Sequence, residues 1–301
     1  MRRIARVAAG VLMWAAAAVG GVGVLGVRRA WAEDAPAPAS VSVERQRQRH
    51  AIDAEVSYFA KDEARTSIDL TLFVLGGRFV LDERFSFTGA FGFATLVSTP
   101  EEGKGDLVWR PSNPELMAFY RVPLPPKLAM SVSLGIGVAG PVATITRGPD
   151  ARLHRATLSY AQATDGLYQM WRWTPNRTTA ITSAELELRA QPWFSFLLEA
   201  KPSLLIPSRE DYYTDSVDFI MPTAAGVSTG TQTARLGVRL RAVLMPTLDV
   251  DSAQLSAETF GTVHVDRWFG EVRYIHNLDE PLAGERGPRA WGLHLRVGGE
   301  L

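Results

Sequence analysis

The stretch Leu128-Ala129-Met130-Ser131-Val132-Ser133-Leu134-Gly135-Ile136-Gly137-Val138-Ala139 decides the fold. Leu128, Met130, Val132, Leu134, Ile136 and Val138 occupy every second position, with Ala, Ser and Gly between them. Successive side chains of a strand point to opposite faces of a sheet, so this segment has one greasy face and one small, weakly polar face. The apolar row runs without a charge over the length of a strand that crosses a bilayer at a tilt, roughly 9–11 residues, whereas globular strands are usually about 5–6.

The same rule holds in three separate segments. In 234–244, Leu236, Val238, Leu240, Ala242 and Leu244 alternate with Arg235, Gly237, Arg239, Arg241 and Val243. In 184–190, Ala184, Leu186, Leu188 and Ala190 alternate with Glu185, Glu187 and Arg189, and in 291–297 Trp291, Leu293, Leu295 and Val297 alternate with Gly292, His294 and Arg296. Past residue 50 no sustained apolar period of 3.6 is visible, and period two recurs to the end of the chain. Further strands are expected at 52–59, 68–80, 85–97, 115–122, 194–205, 253–265 and 269–277, with a weaker one at 216–224.

Short links rich in Asp and Pro, such as Leu81-Asp82-Glu83-Arg84, Gln191-Pro192 and Asp266-Arg267, suit hairpin turns. Longer links fall at 98–113 and 142–183. Tight turns at one end and extended loops at the other are the pattern of a transmembrane barrel, whose strand number is mostly even. The expectation is therefore an all-β, closed antiparallel up-and-down transmembrane β-barrel over 52–301, with twelve strands, or ten if the weakest segments fail. Aromatic residues near strand ends, Phe85, Trp193, Phe194, Trp268, Phe269, Tyr274 and Trp291, suit a lipid interface. A soluble periplasmic barrel carrying an apolar ligand also alternates; it would turn the Leu128 and Leu236 rows inward.

Upstream, Arg2, Arg3 and Arg6 precede an uncharged apolar stretch that ends before Ala30-Trp31-Ala32, a small-x-small cleavage pattern. Residues 1–32 read as a cleaved export signal, with a retained anchor as the alternative, and 33–51 as a flexible periplasmic lead-in. Every charge in that signal is an arginine, and removing those five from the 32 basic residues leaves 27 against 32 acidic ones. A net acidic mature chain argues against nucleic-acid binding. With no cysteine, thiolate zinc sites, thiol nucleophiles, disulfides and a lipid-modified cysteine are all excluded. Membrane residence has to come from the fold, and no cofactor or metal site is indicated.

If the apolar rows face lipid, the interior receives Glu185, Glu187, Arg189, Glu199, Lys201, Arg235, Arg239, Arg241, Glu258, His264, Glu271, Arg273, His294 and Arg296. Such a lining serves either a polar pathway for a small solute or a closed lumen cross-linked by ion pairs. About a dozen strands give a narrow interior, which long Arg and Glu side chains fill, so the closed form is the expectation. The long 142–183 link carries Tyr160, Tyr168, Trp171 and Trp173, candidates for binding at an outer loop or for a plug folded inward. A lipid-modifying barrel enzyme needs an activated nucleophile, but none of His50, His154, His264, His276 and His294 stands two residues before a serine.

The last strand, Ala290-Trp291-Gly292-Leu293-His294-Leu295-Arg296-Val297, the segment Pro114-Glu115-Leu116-Met117-Ala118-Phe119-Tyr120-Arg121 and the Gly-rich strand after it resemble those of proteobacterial and myxobacterial outer-membrane β-barrel proteins. The likeness spans 52–301 as a style of strand, turn and loop. It implies outer-membrane lipids and the barrel-insertion machinery as partners, with a small solute as cargo and no nucleic acid. Such chains usually end in an aromatic residue, and this one ends in Leu301.

Overall fold

The computed structural model describes residues 49–63, 66–100, 105–125, 128–145, 148, 150–208, 216–231, 233–247, 253–279 and 290–301. The expected export signal and residues 33–48 of the lead-in lie outside these. Twelve strands form one closed antiparallel barrel. They are β1 (Ala51–Glu63), β2 (Thr66–Val80), β3 (Phe85–Pro100), β4 in two halves (Asp106–Pro111 and Glu115–Arg121), β5 (Met130–Ala139) and β6 (Arg177–Gln191). The second half comprises β7, also split (Phe194–Ala200 and Ser203–Pro207), β8 (Asp218–Gly230), β9 (Ala234–Leu244), β10 (Ala253–Val265), β11 (Trp268–Asn277) and β12 (Trp291–Glu300). Each strand pairs with the next, and β12 returns to β1 with Glu300 opposite Ala51, which closes the ring.

The two split strands have a common cause. Proline cannot donate to a ladder, and Pro111 and Pro114 bracket the break in β4 while Pro202 sits at the break in β7. The halves of β4 pair with successive parts of β3, so they continue one strand. The expected 98–113 link is thus mostly strand, and its loop shrinks to the residues between Pro100 and Asp106. Likewise β6 begins at Arg177, several residues ahead of the expected start at 184, because Thr179, Ile181 and Ser183 have a buried inner face to fill.

Residues 49–51 and Leu301 lie at one end, where the links 81–84, 192–193 and 266–267 are tight turns. In the first of these, both Arg84 N and Phe85 N donate to Asp82 Oδ1 at 2.7 Å. The opposite end carries the longer links, of which 140–176 is the largest.

The outer face is apolar all round. Ile136 is 68% exposed, Leu236 67% and Leu240 65%, and Leu75, Phe91, Leu116, Leu198 and Leu295 are exposed on other strands. These rows point away from the interior, which overturns the soluble arrangement with the Leu128 and Leu236 rows inside. Near the terminal end, exposed Phe79, Phe85, Trp193 and Trp268 form an aromatic girdle. Higher on the wall, Trp291 sits 6.2 Å from both Tyr58 and Tyr274. Phe269 departs from the expected outer set: it faces inward, under the Arg296 guanidinium at 5.6 Å.

Inside, residues 140–145 and 150–176 fold back between the walls and carry α1 (Ala151–Thr164) and a 3-10 turn (Met170–Arg172). This helix corrects the reading of the chain as purely period two. Its inner stripe is Leu153, Thr157, Leu158, Ala161 and Thr164, at the spacing of one helix face. Two of its members are threonines, whose hydroxyls donate to carbonyls one turn back, Thr157 to Leu153 at 2.9 Å and Thr164 to Tyr160 at 2.8 Å. A hydroxyl satisfied this way packs as an apolar group, but it hides the stripe from a hydropathy scan.

Candidate functional site: the lumen and the loop inside it

The inner wall has two unlike arcs. On β1–β3 it is apolar, with Phe59, Ile68, Leu70, Leu72, Val74, Ala94 and Leu96 buried against Leu158, Ala161 and Trp173 of the loop. This arc departs from the expectation that apolar rows face lipid alone. On β2 both faces are apolar, because one meets the membrane side and the other receives α1.

The second arc, from β6 round to β12 and on to β1, is charged, apart from a patch of Ile181, Leu205, Ile220 and Val243 that buries Leu167, Tyr168, Met170 and Trp171 of the loop. Of the candidates named from sequence, Glu187, Arg241, Glu258 and His294 are buried, and Glu185, Arg189, Glu199, Lys201, Arg235, Arg239, His264, Glu271, Arg273 and Arg296 are partly buried. Glu187 is met by Arg189 and Arg235, each at 3.3 Å, and Glu199 pairs with Lys201. Glu258 accepts from Arg239 at 3.2 Å and pairs with Arg241. Arg273 reaches Glu55 at 2.6 Å and Glu271 at 3.5 Å. Arg296 grips Asp53 through two bonds of 2.8 and 2.7 Å, the bidentate geometry that suits a planar guanidinium. Glu185 is half-buried and has no ion pair within 4.0 Å among those described.

The loop joins this charged arc at its turn. Asp165 accepts from Arg241 at 3.0 Å, the Asn277 amide donates to Ala163 O at 3.1 Å, and His294 Nε2 lies 3.1 Å from Thr164 O. Gly292 is where β12 passes Thr164 O so closely that any β-carbon would collide with that carbonyl. Tyr168 lies under Arg241, 4.4 Å from guanidinium to ring centre. Burial pushes its phenol well above the usual range, so it stays neutral there. Further on, Trp171 Nε1 donates to Glu115 at 2.8 Å, and Arg172 pairs with the same carboxylate at 3.2 Å.

Tyr168, Trp171 and Trp173, candidates for an outer loop surface, are therefore inside the barrel, with Trp171 fully buried. Tyr160 is half-buried and stacks on Phe59 with ring centres 5.6 Å apart. Their inward placement follows from the two arcs, which offer rings both apolar walls and a carboxylate partner.

Sequence reasoning missed five residues that organise this interior. Asn113, at the break in β4, donates to Trp171 O at 2.8 Å and Thr174 O at 2.7 Å and accepts from Ala143 N at 2.7 Å. One buried amide thus ties the two ends of the loop together. Its signal was Pro111-Ser112-Asn113-Pro114, a buried polar break inside a strand. Asp53 and Glu55 alternate with Ile52, Ala54 and Val56 and were findable by the same rule as the others. Asp165 and Glu115 pair with partners far along the chain and carry no local signal.

A serine, a histidine and a carboxylate do meet across β1 and β12. Ser57 Oγ is 2.7 Å and Glu55 Oε1 2.9 Å from His294 Nδ1. Both crowd one ring nitrogen while the other faces Thr164 O. A nucleophilic triad needs serine and carboxylate on opposite nitrogens, so this group is a polar cross-link. Among the described residues no group of three or more acidic or histidine side chains is placed to hold a metal.

Between the loop and the terminal end lies a polar cavity of about 230 Å³ lined by Arg78, Ser86, Arg121, Glu185 and Lys201 among others. A larger hollow of about 690 Å³ is on the outer face, over Ala184, Leu198, Ala200 and Ala242. It lies on the outside of the same strands that carry Glu185, Glu199 and Arg241, which also border it.

No protein-family model and no curated protein matches the sequence. Among solved structures the chain is similar to an outer membrane channel from Pseudomonas putida F1, with a TM-score of 0.60 and 10% identity over 84% of this chain and 96% of that one. It also matches the KdgM porin at a TM-score of 0.43 and 9% identity, over 82% of this chain and 99% of that one. A third match is the beta domain of a Bordetella autotransporter, at 0.46 and 9%, over 84% and 100%. The first likeness shows that the chain has the fold of an outer-membrane β-barrel; the other two superpose too loosely to add to it.

Proposed function

We propose that the protein is an integral barrel of the bacterial outer membrane that acts as a narrow channel for small polar solutes, with residues 140–176 as its plug. The observation that carries this reading is the pairing of an apolar outer face with an ion-paired inner wall in one closed ring. Apolar side chains exposed all round a ring have no favourable place in water, and charges lining its inside have none in lipid. On this reading the chain is exported, folded by the barrel-insertion machinery and held by outer-membrane lipids, with tight turns in the periplasm and the 140–176 loop entering from outside. Both charge signs line the lumen, which suits weak ion selectivity.

The reading is non-enzymatic, in keeping with the arrangement around His294. Two measurements test it. The purified mature chain in mild detergent migrates differently on a gel before and after boiling, and in a planar bilayer it gives small, discrete current steps. A chain that stays monomeric in water without detergent would defeat the membrane assignment. A heat-modifiable chain that never conducts, even with residues 150–173 replaced by a Gly-Ser linker, would defeat the channel.

A further inference from the structure

The small inner face of β5 has a use that the plug does not explain. It runs Ser131, Ser133, Gly135 and Gly137. The two glycines are covered from β4, because the Phe119 ring lies over Gly135 and the Met117 side chain over Gly137. Nearer the terminal end, Ser133 lines the polar cavity of about 230 Å³ beneath the loop.

We infer that this cavity binds a small zwitterion of the free amino acid class; the inference names the solute of the channel proposed above and rests on that reading. Three observations carry it. First, opposite charges flank Ser133. Arg121 of β4 and Glu185 of β6 stand directly across from it, one on each side. Two strand spacings put their backbones about 10 Å apart, and Glu185 forms no ion pair among those described. Arg78 of β2 adds a second guanidinium to the lining.

Second, the other lining charges are engaged or cancel. Glu115 accepts from Trp171 and Arg172, Lys201 pairs with Glu199, and Asp82 takes two backbone amides of its turn. Glu83 and Arg84, exposed in that turn, are one of each sign. Third, the space is small and mixed in character. It falls below the roughly 300–1,000 Å³ of pockets for drug-sized ligands. Met117 and Phe119 offer apolar surface for a short aliphatic side chain, and Ser86 and Ser133 offer hydroxyls.

The charge pattern selects the ligand. A half-buried carboxylate without a cation is costly, and an ammonium group beside Glu185 removes that cost. A carboxylate on the same molecule gives a guanidinium the two-oxygen partner that its planar fork favours. A simple anion satisfies Arg121 and confronts Glu185; a simple cation does the reverse. Because Glu83 and Arg84 of the lining are exposed, the site is reached from the terminal end with the plug in place.

Calorimetric titration of the purified barrel in mild detergent tests this with valine and its two halves, 3-methylbutanoate and isobutylammonium. Valine should bind at least tenfold more tightly than either half. Glu185→Gln should weaken valine at least tenfold while 3-methylbutanoate binds as well as to wild type or better, and Arg121→Gln should weaken valine while sparing isobutylammonium. Heat-modifiability checks that each variant folds. Valine that binds no more tightly than its halves, or equally well to both folded variants, overturns the site; if the wild type still conducts in a planar bilayer, the channel stands and only its solute is wrong. Valine binding by a chain that conducts neither as wild type nor with the Gly-Ser linker upholds the site and defeats the channel reading.

Discussion

The apolar arc on β1–β3 and the charged arc on β6–β12 enclose the same loop and both bury part of it, yet the charged arc adds a grip of another kind. Leu70, Leu72 and Leu96 grip α1 by excluding water, a force without direction that any well-shaped apolar partner satisfies. Arg241, Asn277 and His294 grip the turn through bonds of fixed geometry, each of which the wall can replace. The comparison teaches that the number of contacts is a poor guide to which contacts are permanent. What decides is whether the groups left behind are satisfied.

The largest expected effect comes from putting a charge on the apolar arc. Leu70→Asp would bury a carboxylate among aliphatic groups, at a cost of about 3–5 kcal/mol for an uncompensated charge. Urea titration of the heat-modifiable band should show a large loss of stability, and an unchanged midpoint would mean that α1 does not rest on this arc. Next comes removal of one partner on the charged arc. Glu258→Leu strands Arg239 and leaves Arg241 with Asp165, and should cost about 3 kcal/mol, whereas Asp53→Leu with Arg296→Leu removes both members of a pair and should cost less than about 1 kcal/mol. If the paired change costs as much as the single one, the arc stabilises by net attraction and the contrast drawn above is wrong.

Asn113→Ala is smaller. It leaves two loop carbonyls and the Ala143 amide without their partner, which at about 1–3 kcal/mol for the buried groups should loosen the loop. Limited proteolysis between residues 140 and 176 reads this directly. The smallest effect lies far from both arcs, at the turn where backbone amides of Arg84 and Phe85 hold the Asp82 carboxyl below its usual range. A depressed folded pKa gives stability that is present above the unfolded value and lost as pH falls through the folded one. Asp82→Asn should remove that slight acid sensitivity, and an identical pH profile in the variant would assign the sensitivity to another group.

How much of this was legible follows from the same contrast. The period-two rows at 128–139 and 234–244 revealed the ring and its charged lining, because one face meets lipid and the other meets charge. The β2 row was not legible in that way: with Ile68, Leu70, Leu72 and Val74 inside and Phe73 and Leu75 outside, no alternation separates lumen from membrane. The loop escaped for a related reason. Its helix shows Thr157 and Thr164 where a scan expects aliphatic groups, and its turn joins Asp165 to Arg241 across a separation that no local pattern reports. The Pro111-Ser112-Asn113-Pro114 break was visible, but it read as a loop because only the folded ring shows what Asn113 holds.

The seam between β1 and β12 has a consequence for the order of assembly. It joins the first strand to the last, so Glu55 and His294 come together at almost the full length of the folded chain, and chain entropy makes such contacts late ones. His294 also faces Thr164 O, and Arg273 needs Glu55. The seat for the loop is therefore incomplete until the ring shuts. A half-built barrel has nowhere to lodge its own stopper, and the chain seals its interior only as it finishes its wall.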